Sequence, residues 1–375
     1  MTTQIQHDTQ IQHTTRRNGE SATDLESPGE QGIRNMREDR QLAAAASPAL
    51  PPTGVLTLAK GLNAGLHDAL ATDPKALLMG EDVGTLGGVF RITDGLKAEF
   101  GASRVVDTPL AESGIVGTAI GLAMRGYHPC VEIQFDGFHA PAFDQIVSQL
   151  ARYRARVGGA WSLPVTIRIP FGGGVGSPEH HSESPEAFYT GVPGLKVVAC
   201  SSPDDAYWMA RQAIASPDPV ILFEPKRRYY SRGPVSPVAE LGLHQARIVR
   251  PGTDITVLAW GPMVQTCVDA ADAAAEEGTS LEVIDLRSLS PFDMATIEAS
   301  VSKTTRAVVV HEAPKSGALG AEIAARLSES LYYVMEAPVL RVAGWDTPYP
   351  PSRAENNHIP DADRILDAVD RSLAM

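Results

Sequence analysis

From Leu56 onward the apolar positions recur in two alternating rhythms, and these predict the elements. Leu58, Leu62, Leu66, Ala69 and Leu70 stand at helical spacing, and Asp73-Pro74 ends the run. A short buried strand follows over 76–79. Over 112–125 the chain is apolar almost all round (Ile115, Val116, Ala119, Ile120, Leu122, Ala123), which predicts a helix buried on most sides. Next come a strand over 130–135, a long helix over 140–157, and β-branched strands over 165–169, 196–199 and 220–223. Ser202-Pro203-Asp204 opens a helix between the last two. After a Pro- and Gly-marked connector, 231–247, the alternation resumes. It gives strands over 255–260, 282–286 and 307–311, helices over 264–277, 293–301 and 320–333, and a closing helix over 362–373. Strands alternating with helices predict parallel βαβ units. Two α/β domains are therefore expected, 55–230 and 248–375. Residues 1–52 lack Val, Phe, Tyr and Trp and are rich in Gln, Thr, Ser and charge. Such a segment buries too little surface to offset its ordering entropy, so a disordered tail is expected.

Composition narrows the function. The 375 residues carry a formal net charge of −13, which disfavours nucleic-acid backbones and anionic lipid and suits a basic protein partner, or solubility alone. Cys130, Cys200 and Cys267 lie far apart, which argues against a disulfide framework or structural zinc and fits a reducing cytoplasm. No apolar run reaches the roughly 18 residues of a membrane span. The acids in the first 30 residues do not suit a transit peptide.

Several nucleotide and hydrolase signatures are missing. There is no glycine loop ending in Gly-Lys-Ser/Thr, no Gly-x-Gly-x-x-Gly, no His-Glu-x-x-His and no Gly-x-Ser-x-Gly. Four segments remain as candidate chemistry. Glu112 falls at the start of the apolar helix, where it is either an ordinary first-turn acid favoured by the helix dipole or a desolvated carboxylate suited to proton exchange. The run Phe171 to Ser182 follows a strand and so sits at a carboxyl edge. Its glycines either admit a ligand to the backbone or only shape a loop. His180 and His181 are too close in sequence to share a metal, so one is expected on substrate and the other in solvent, or both are structural. Glu132 to Phe138 closes another strand with polar side chains. The run Phe223 to Tyr230 is basic and aromatic; it either holds an anionic substrate or begins a solvated linker, the latter favoured for Arg227 and Arg228.

Together these segments resemble a known family. GEDVGTLGGVFRITDGL (80–96), DTPLAESGIVG (107–117), EIQFDGF (132–138), HHSESPEAF (180–188), PGLKVV (193–198), FEPKRRY (223–229), LEVIDLRSLSPFD (281–293), HEAP (311–314), EAPVLRV (336–342) and DTPYP (346–350) are similar, in order, to the beta subunits of the thiamine-diphosphate-dependent branched-chain 2-oxoacid and pyruvate dehydrogenases. The resemblance implies a transketolase-like fold of two doubly wound α/β domains, a pyrimidine-binding domain and a transketolase C-terminal domain. It also implies a cofactor shared with an alpha subunit, in a tetramer of two alpha and two beta chains. Relatives hold magnesium and the diphosphate with a Gly-Asp-Gly motif followed by Asn. Thr93-Asp94-Gly95 and Phe135-Asp136-Gly137 lack the leading Gly, so magnesium is expected on the alpha subunit, and a self-sufficient transketolase-type enzyme is disfavoured.

By the same resemblance, Glu112 hydrogen-bonds the aminopyrimidine ring and favours the tautomer that deprotonates the thiazolium carbon. His181 is implied to stabilise or protonate intermediates as the acyl unit passes to a lipoyl group on the acyltransferase core. Leu110, Gln134 and Phe138 match cofactor-pocket positions; some relatives have Tyr where this chain has Phe138, so that hydroxyl is missing here. A structural potassium ion in some relatives maps near Val165, Thr166, Ala213, Ile214, Ser216 and Asp218. SPEAF after His181 and the EPK-x-x-Y run favour branched-chain 2-oxoacids, whereas GGVFR and FGGGVG resemble bacterial pyruvate dehydrogenases. The alternative of a different class is a non-catalytic subunit that only docks an acyltransferase through its acidic C-terminal domain.

Overall fold

Alternation along each strand decides which layer it feeds. The computed structural model of the chain describes residues 54–375, so the tail expected over 1–52 lies outside the described residues. Strand β1 (Gly54–Thr57) leads into the helix Leu58–Thr72, where the Thr57 hydroxyl oxygen accepts from the Lys60 N–H at 3.2 Å and caps the first turn. Strands β2 (Ala76–Gly80), β3 (Val105–Asp107), β4 (His128–Glu132), β5 (Thr166–Phe171), β6 (Lys196–Ala199) and β7 (Val220–Pro225) run parallel in the order β6-β7-β5-β4-β2-β3. In β2, Leu77 and Met79 enter one apolar core while Ala76 and Leu78 enter the other; β7 divides Ile221 and Phe223 from Val220 and Leu222 in the same way. The helices Leu58–Thr72 and Pro203–Ile214 cover the second face, and the Ser202 hydroxyl caps the latter helix by accepting from Asp205 N–H at 3.1 Å.

The connector does not run free. Strand β8 (Arg232–Val235) folds back antiparallel onto β1. Strands β9 (Arg247–Arg250), β10 (Ile255–Ala259) and β11 (Leu281–Asp285) begin the second sheet. Strand β12 (Ser288–Ser290) instead crosses to the first domain and pairs antiparallel with β6, which makes that sheet seven-stranded. Strands β13 (Ala307–Pro314) and β14 (Leu340–Gly344) complete a five-stranded sheet of order β14-β13-β10-β11-β9. One apolar core runs continuously from Leu77 and Ile169 to Trp260, Val309 and Leu327, so the two domains share an interior. The far face of the second sheet packs on the helices Met263–Glu276 and Ala362–Leu373.

Three expectations need correction. The strand expected over 130–135 stops at Glu132, because the chain turns into a 3-10 segment at Asp136–Phe138. The helix expected over 140–157 starts at His139 and contains a π-helical stretch, Gln145–Leu150. The helix Glu112–Met124 is buried along one face only: Gly114, Thr118, Gly121 and Met124 are exposed, because none of the described residues packs over them. The three cysteines are free and buried, and among the described residues no helix is long and apolar enough to cross a membrane.

At the centre of the first sheet stands Arg168, fully buried on β5. It donates to both oxygens of Glu224, at 2.6 and 3.0 Å, and to Glu132 at 2.8 Å. Burial alone would pull the guanidinium down, but Glu224 and Glu132 hold it well above its usual range. Arg168→Leu strands two buried carboxylates. The expected cost is about 3–5 kcal/mol of unfolding free energy in a denaturant titration; a loss below about 1 kcal/mol would contradict this account.

Candidate active site

The parallel strands β2, β3, β4, β5 and β7 end on one side of the sheet, and the candidate residues lie just beyond those ends. Beyond β2 come Glu81 and Asp82. Beyond β3, the Thr108 N–H donates to Gly80 O at 2.9 Å and steers the chain through Leu110 to the helix that starts at Glu112. Ala111 stands at the cap position, and no side chain caps this helix. Glu112 is 9% exposed, whereas Leu110, two residues earlier, is 76% exposed.

Beyond β4, Gln134 Nε2 approaches Asp82 Oδ2 at 3.5 Å, the outer limit of a hydrogen bond. Phe135 and Phe138 then form an aromatic wall with His181. The His181 ring lies 4.2 Å from Phe135 and 5.3 Å from Phe138, centroid to centroid, both inclined contacts. His181 Nδ1 is buried and has no hydrogen-bond partner among the described residues, a cost that a ligand atom would relieve. His180 faces solvent, whereas His181 is partly buried against the two rings. The structure thus brings Glu112, Gln134, Phe138 and His181 to one edge, with Leu110 exposed at its rim.

Carboxylates outnumber cations at this edge. Glu132 and Glu224 share Arg168, and Asp136 pairs with the buried Lys226. Glu81 and Glu112 have no ion-pair partner among the described residues. Both Glu81 oxygens are buried without a hydrogen bond. Burial first, then Glu112, Asp82 and Glu132, push the Glu81 carboxyl up to about 6. No local pattern singles out Glu81, because a lone Glu after a strand has no distinguishing spacing.

The glycine run is not a ligand cradle. Gly172, Gly174 and Gly176 adopt left-handed φ of 83°, 85° and 72°, which turns successive amides inward. That hollow is filled by the second domain. Gly173 N–H donates to Glu312 at 3.0 Å, and Gly174 and Gly176 N–H donate to Glu355 at 2.8 and 3.1 Å. Arg227 is no solvated linker residue either: it pairs with Glu312 and donates to Pro262 O at 3.2 Å, so it bridges the domains, and Arg228 is half-buried. Lys226 is consumed by Asp136 and holds no free charge for a substrate.

The potassium candidates cluster beside β5 and β7, but their oxygens are in use. Val165 O accepts from Val220 N–H at 3.0 Å, Ala213 O from Ser216 N–H at 3.1 Å, and Asp218 O from Ser216 Oγ at 2.9 Å. The Asp218 carboxylate faces Arg154 and Lys196. Thr166 and Ile214 are buried next to them. Any ion here would have to share those oxygens. Among the described residues no group of three His, Cys, Asp or Glu side chains is arranged to hold a metal.

Known proteins match this geometry. The model of the transketolase pyrimidine-binding domain matches residues 55–231, and that of the transketolase C-terminal domain matches residues 244–365. The chain is 60% identical over 325 residues to the pyruvate dehydrogenase E1 component subunit beta of Leifsonia xyli subsp. xyli, which covers 86% of this chain and 96% of that protein. It is 53% identical over 344 residues to the 3-methyl-2-oxobutanoate dehydrogenase subunit beta of Mycobacterium tuberculosis, covering 91% and 97%. Among solved structures, a split-gene transketolase described as an inactive beta4 tetramer superposes with a TM-score of 0.72 at 23% identity, over 86% of this chain and 99% of that one, which shows the shared fold.

Glu81 yields a pH prediction. Its folded value, about 6, lies above the ordinary 4.5, so the native state holds more protons than the unfolded one between those values. Stability contributed by the neutral acid is present below about pH 4.5 and is lost as pH rises through 6. Glu81→Gln should therefore stabilise the chain by about 1 kcal/mol at pH 8 and hardly at all at pH 4.5. Denaturant midpoints at the two pH values check this, and equal gains at both would contradict it.

Proposed function

The chain belongs to the transketolase-like beta subunits of 2-oxoacid dehydrogenases, and from that premise we propose that it builds the pyrimidine half of a thiamine diphosphate site whose other half lies on an alpha subunit. The observation that carries this reading is Glu112, an almost buried carboxylate with no cation opposite it among the described residues, at the rim of an edge where every other buried acid but Glu81 is paired. An aminopyrimidine offers ring nitrogens and an amine that such a group can hold. The residues here do not fit the diphosphate end. The glycine amides are occupied by Glu312 and Glu355, and no metal-ligand cluster exists among the described residues. Magnesium therefore goes to the alpha subunit, in a tetramer of two alpha and two beta chains.

Thiamine diphosphate, when bound, supplies the electron sink for decarboxylation of a 2-oxoacid. Glu112 holds a proton at the pyrimidine ring nitrogen and so sets the tautomer of that ring. Leu110 projects from the rim as an apolar support. Gln134 and Phe138 shape the wall, and Phe138 keeps the His181 ring in place by edge contact. His181 acts as the acyl unit passes to a lipoyl group: a carbon–sulfur bond forms, the disulfide breaks, and the departing sulfur takes the electron pair and a proton, which His181 supplies. A potassium ion near Asp218 would be structural, held by the backbone oxygens described above. The acidic surface suits the subunit-binding domain of a lipoyl acyltransferase, and we place the complex in the cytoplasm.

The substrate class is a small 2-oxoacid. SPEAF and the EPK-x-x-Y run favour 3-methyl-2-oxobutanoate, which is the reading we adopt. The 60% identity to a protein named for pyruvate favours pyruvate as the second reading. The reconstituted complex should turn over 3-methyl-2-oxobutanoate with a higher kcat/KM than pyruvate; an equal or higher value for pyruvate would reverse the assignment. Glu112→Gln should leave assembly with the alpha subunit intact and lower decarboxylation at least a hundredfold, the scale of a lost proton-handling group, about 10²–10⁴. Undiminished activity in that variant would favour a purely docking subunit.

A further inference from the structure

The loop that carries His181 is held at both ends by carboxylates, and one of them comes from the other domain. At its far end Glu183 N–H donates to Asp136, Gly172 N–H donates to Glu183 O at 2.9 Å, and Ser182 Oγ donates to Ser177 O at 3.1 Å. At its near end Gly174 and Gly176 are both gripped by Glu355, which lies on the short helix Glu355–His358 of the C-terminal domain and is 5% exposed. Both carboxylate oxygens are engaged: Oε1 accepts from Gly174 N–H and from the Tyr349 hydroxyl, at 2.8 and 2.6 Å, and Oε2 accepts from Gly176 N–H at 3.1 Å. Three residues beyond Gly176 the chain enters the 3-10 turn Glu179–His181, where His181 N–H donates to Pro178 O at 2.9 Å. The path from the Glu355 carboxylate to the His181 ring is thus one short, hydrogen-bonded loop.

We propose that Glu355, oriented by Tyr349, is a positioning residue for His181, so that the C-terminal domain sets the geometry of acyl transfer. The proposal rests on the assignment of His181 to that step. An amide at position 355 keeps the shape of the side chain but points an N–H₂ at a backbone N–H or at the Tyr349 hydroxyl. The loop then loses a charge-assisted anchor while the sheet beneath it is untouched. Glu112 lies on a different loop and helix, so decarboxylation should feel the change less.

The test uses the full complex with its alpha subunit. Decarboxylation is read with an artificial electron acceptor, and acyl transfer is read with a lipoylated domain. Glu355→Gln should lower kcat for acyl transfer about tenfold and decarboxylation by less than about threefold, and Tyr349→Phe should follow with a smaller loss in the same direction. Adding Glu355→Gln to His181→Ala should lower acyl transfer no further than His181→Ala alone, because one residue acts through the other. Should Glu355→Gln fail to fold, Tyr349→Phe, alone and combined with His181→Ala, carries the same comparison. Equal losses in both reactions, or additive losses in the double variant, would overturn the proposal. Wild-type acyl transfer in Glu355→Gln and Tyr349→Phe, with a large loss in His181→Ala, would overturn it alone. Wild-type acyl transfer in His181→Ala would remove the assignment beneath it as well.

Discussion

The buried groups around the carboxyl ends of β2, β4, β5 and β7 include five acids, Glu81, Glu112, Glu132, Asp136 and Glu224, against two cations, Arg168 and Lys226. Burying a charge without a partner is costly, so this inequality organises the rest of the structure. Arg168 satisfies two acids at once and locks β4, β5 and β7 into register. Lys226 neutralises Asp136, and Asp136 in turn accepts from the loop carrying His181. What is left over is Glu81 and Glu112, with Leu110 exposed beside them. An edge left short of positive charge is a poor end point for a folded chain and a good place for a cationic, nitrogen-rich ring to bind.

The second domain enters this arrangement from two directions. Strand β12 extends the first sheet at its far side, and Arg287, just before it, reaches back to Asp205 at 2.7 Å. On the site side, Glu312 and Glu355 fill the hollow of the glycine loop. A buried contact also joins the domains behind the site: Trp260 Nε1 donates to Glu186 at 3.1 Å, while within the second domain Trp260 stacks on His311 with ring centroids 5.3 Å apart. Burial pushes Glu186 up to about 8 and His311 down to about 4, so both stay uncharged at neutral pH inside that joint. The domains therefore behave as one body around the loop of His181.

Much of the fold was legible because its central strands are long, β-branched and bounded by turn residues. The closing helix over 362–373 was read with its observed limits. The elements the pattern missed are short edge strands. β12 has three residues, and β8 contains both Gly and Pro, so neither has room for a periodic signal. The helix of Glu112 misled in a different way: its composition looks buried all round, yet one face is left exposed by the described residues. The positions of Gln134, Phe138 and His181 at one edge followed from motifs lying after strands, and that of Glu112 from the family resemblance. The roles of Gly174, Arg227 and Glu355 did not, because each acts across a domain boundary more than 30 residues away, and no local spacing encodes a partner at that distance.

The central claim is that this chain holds half of a catalytic site. The measurement that tests it most directly is decarboxylation of a 2-oxoacid, with thiamine diphosphate and magnesium, by the purified chain alone and by the same chain assembled with an alpha-type subunit. The account predicts turnover in the assembled sample and none above background in the chain alone. Turnover by the chain alone would mean that the diphosphate is held here after all, and it would contradict the division of the site between two chains.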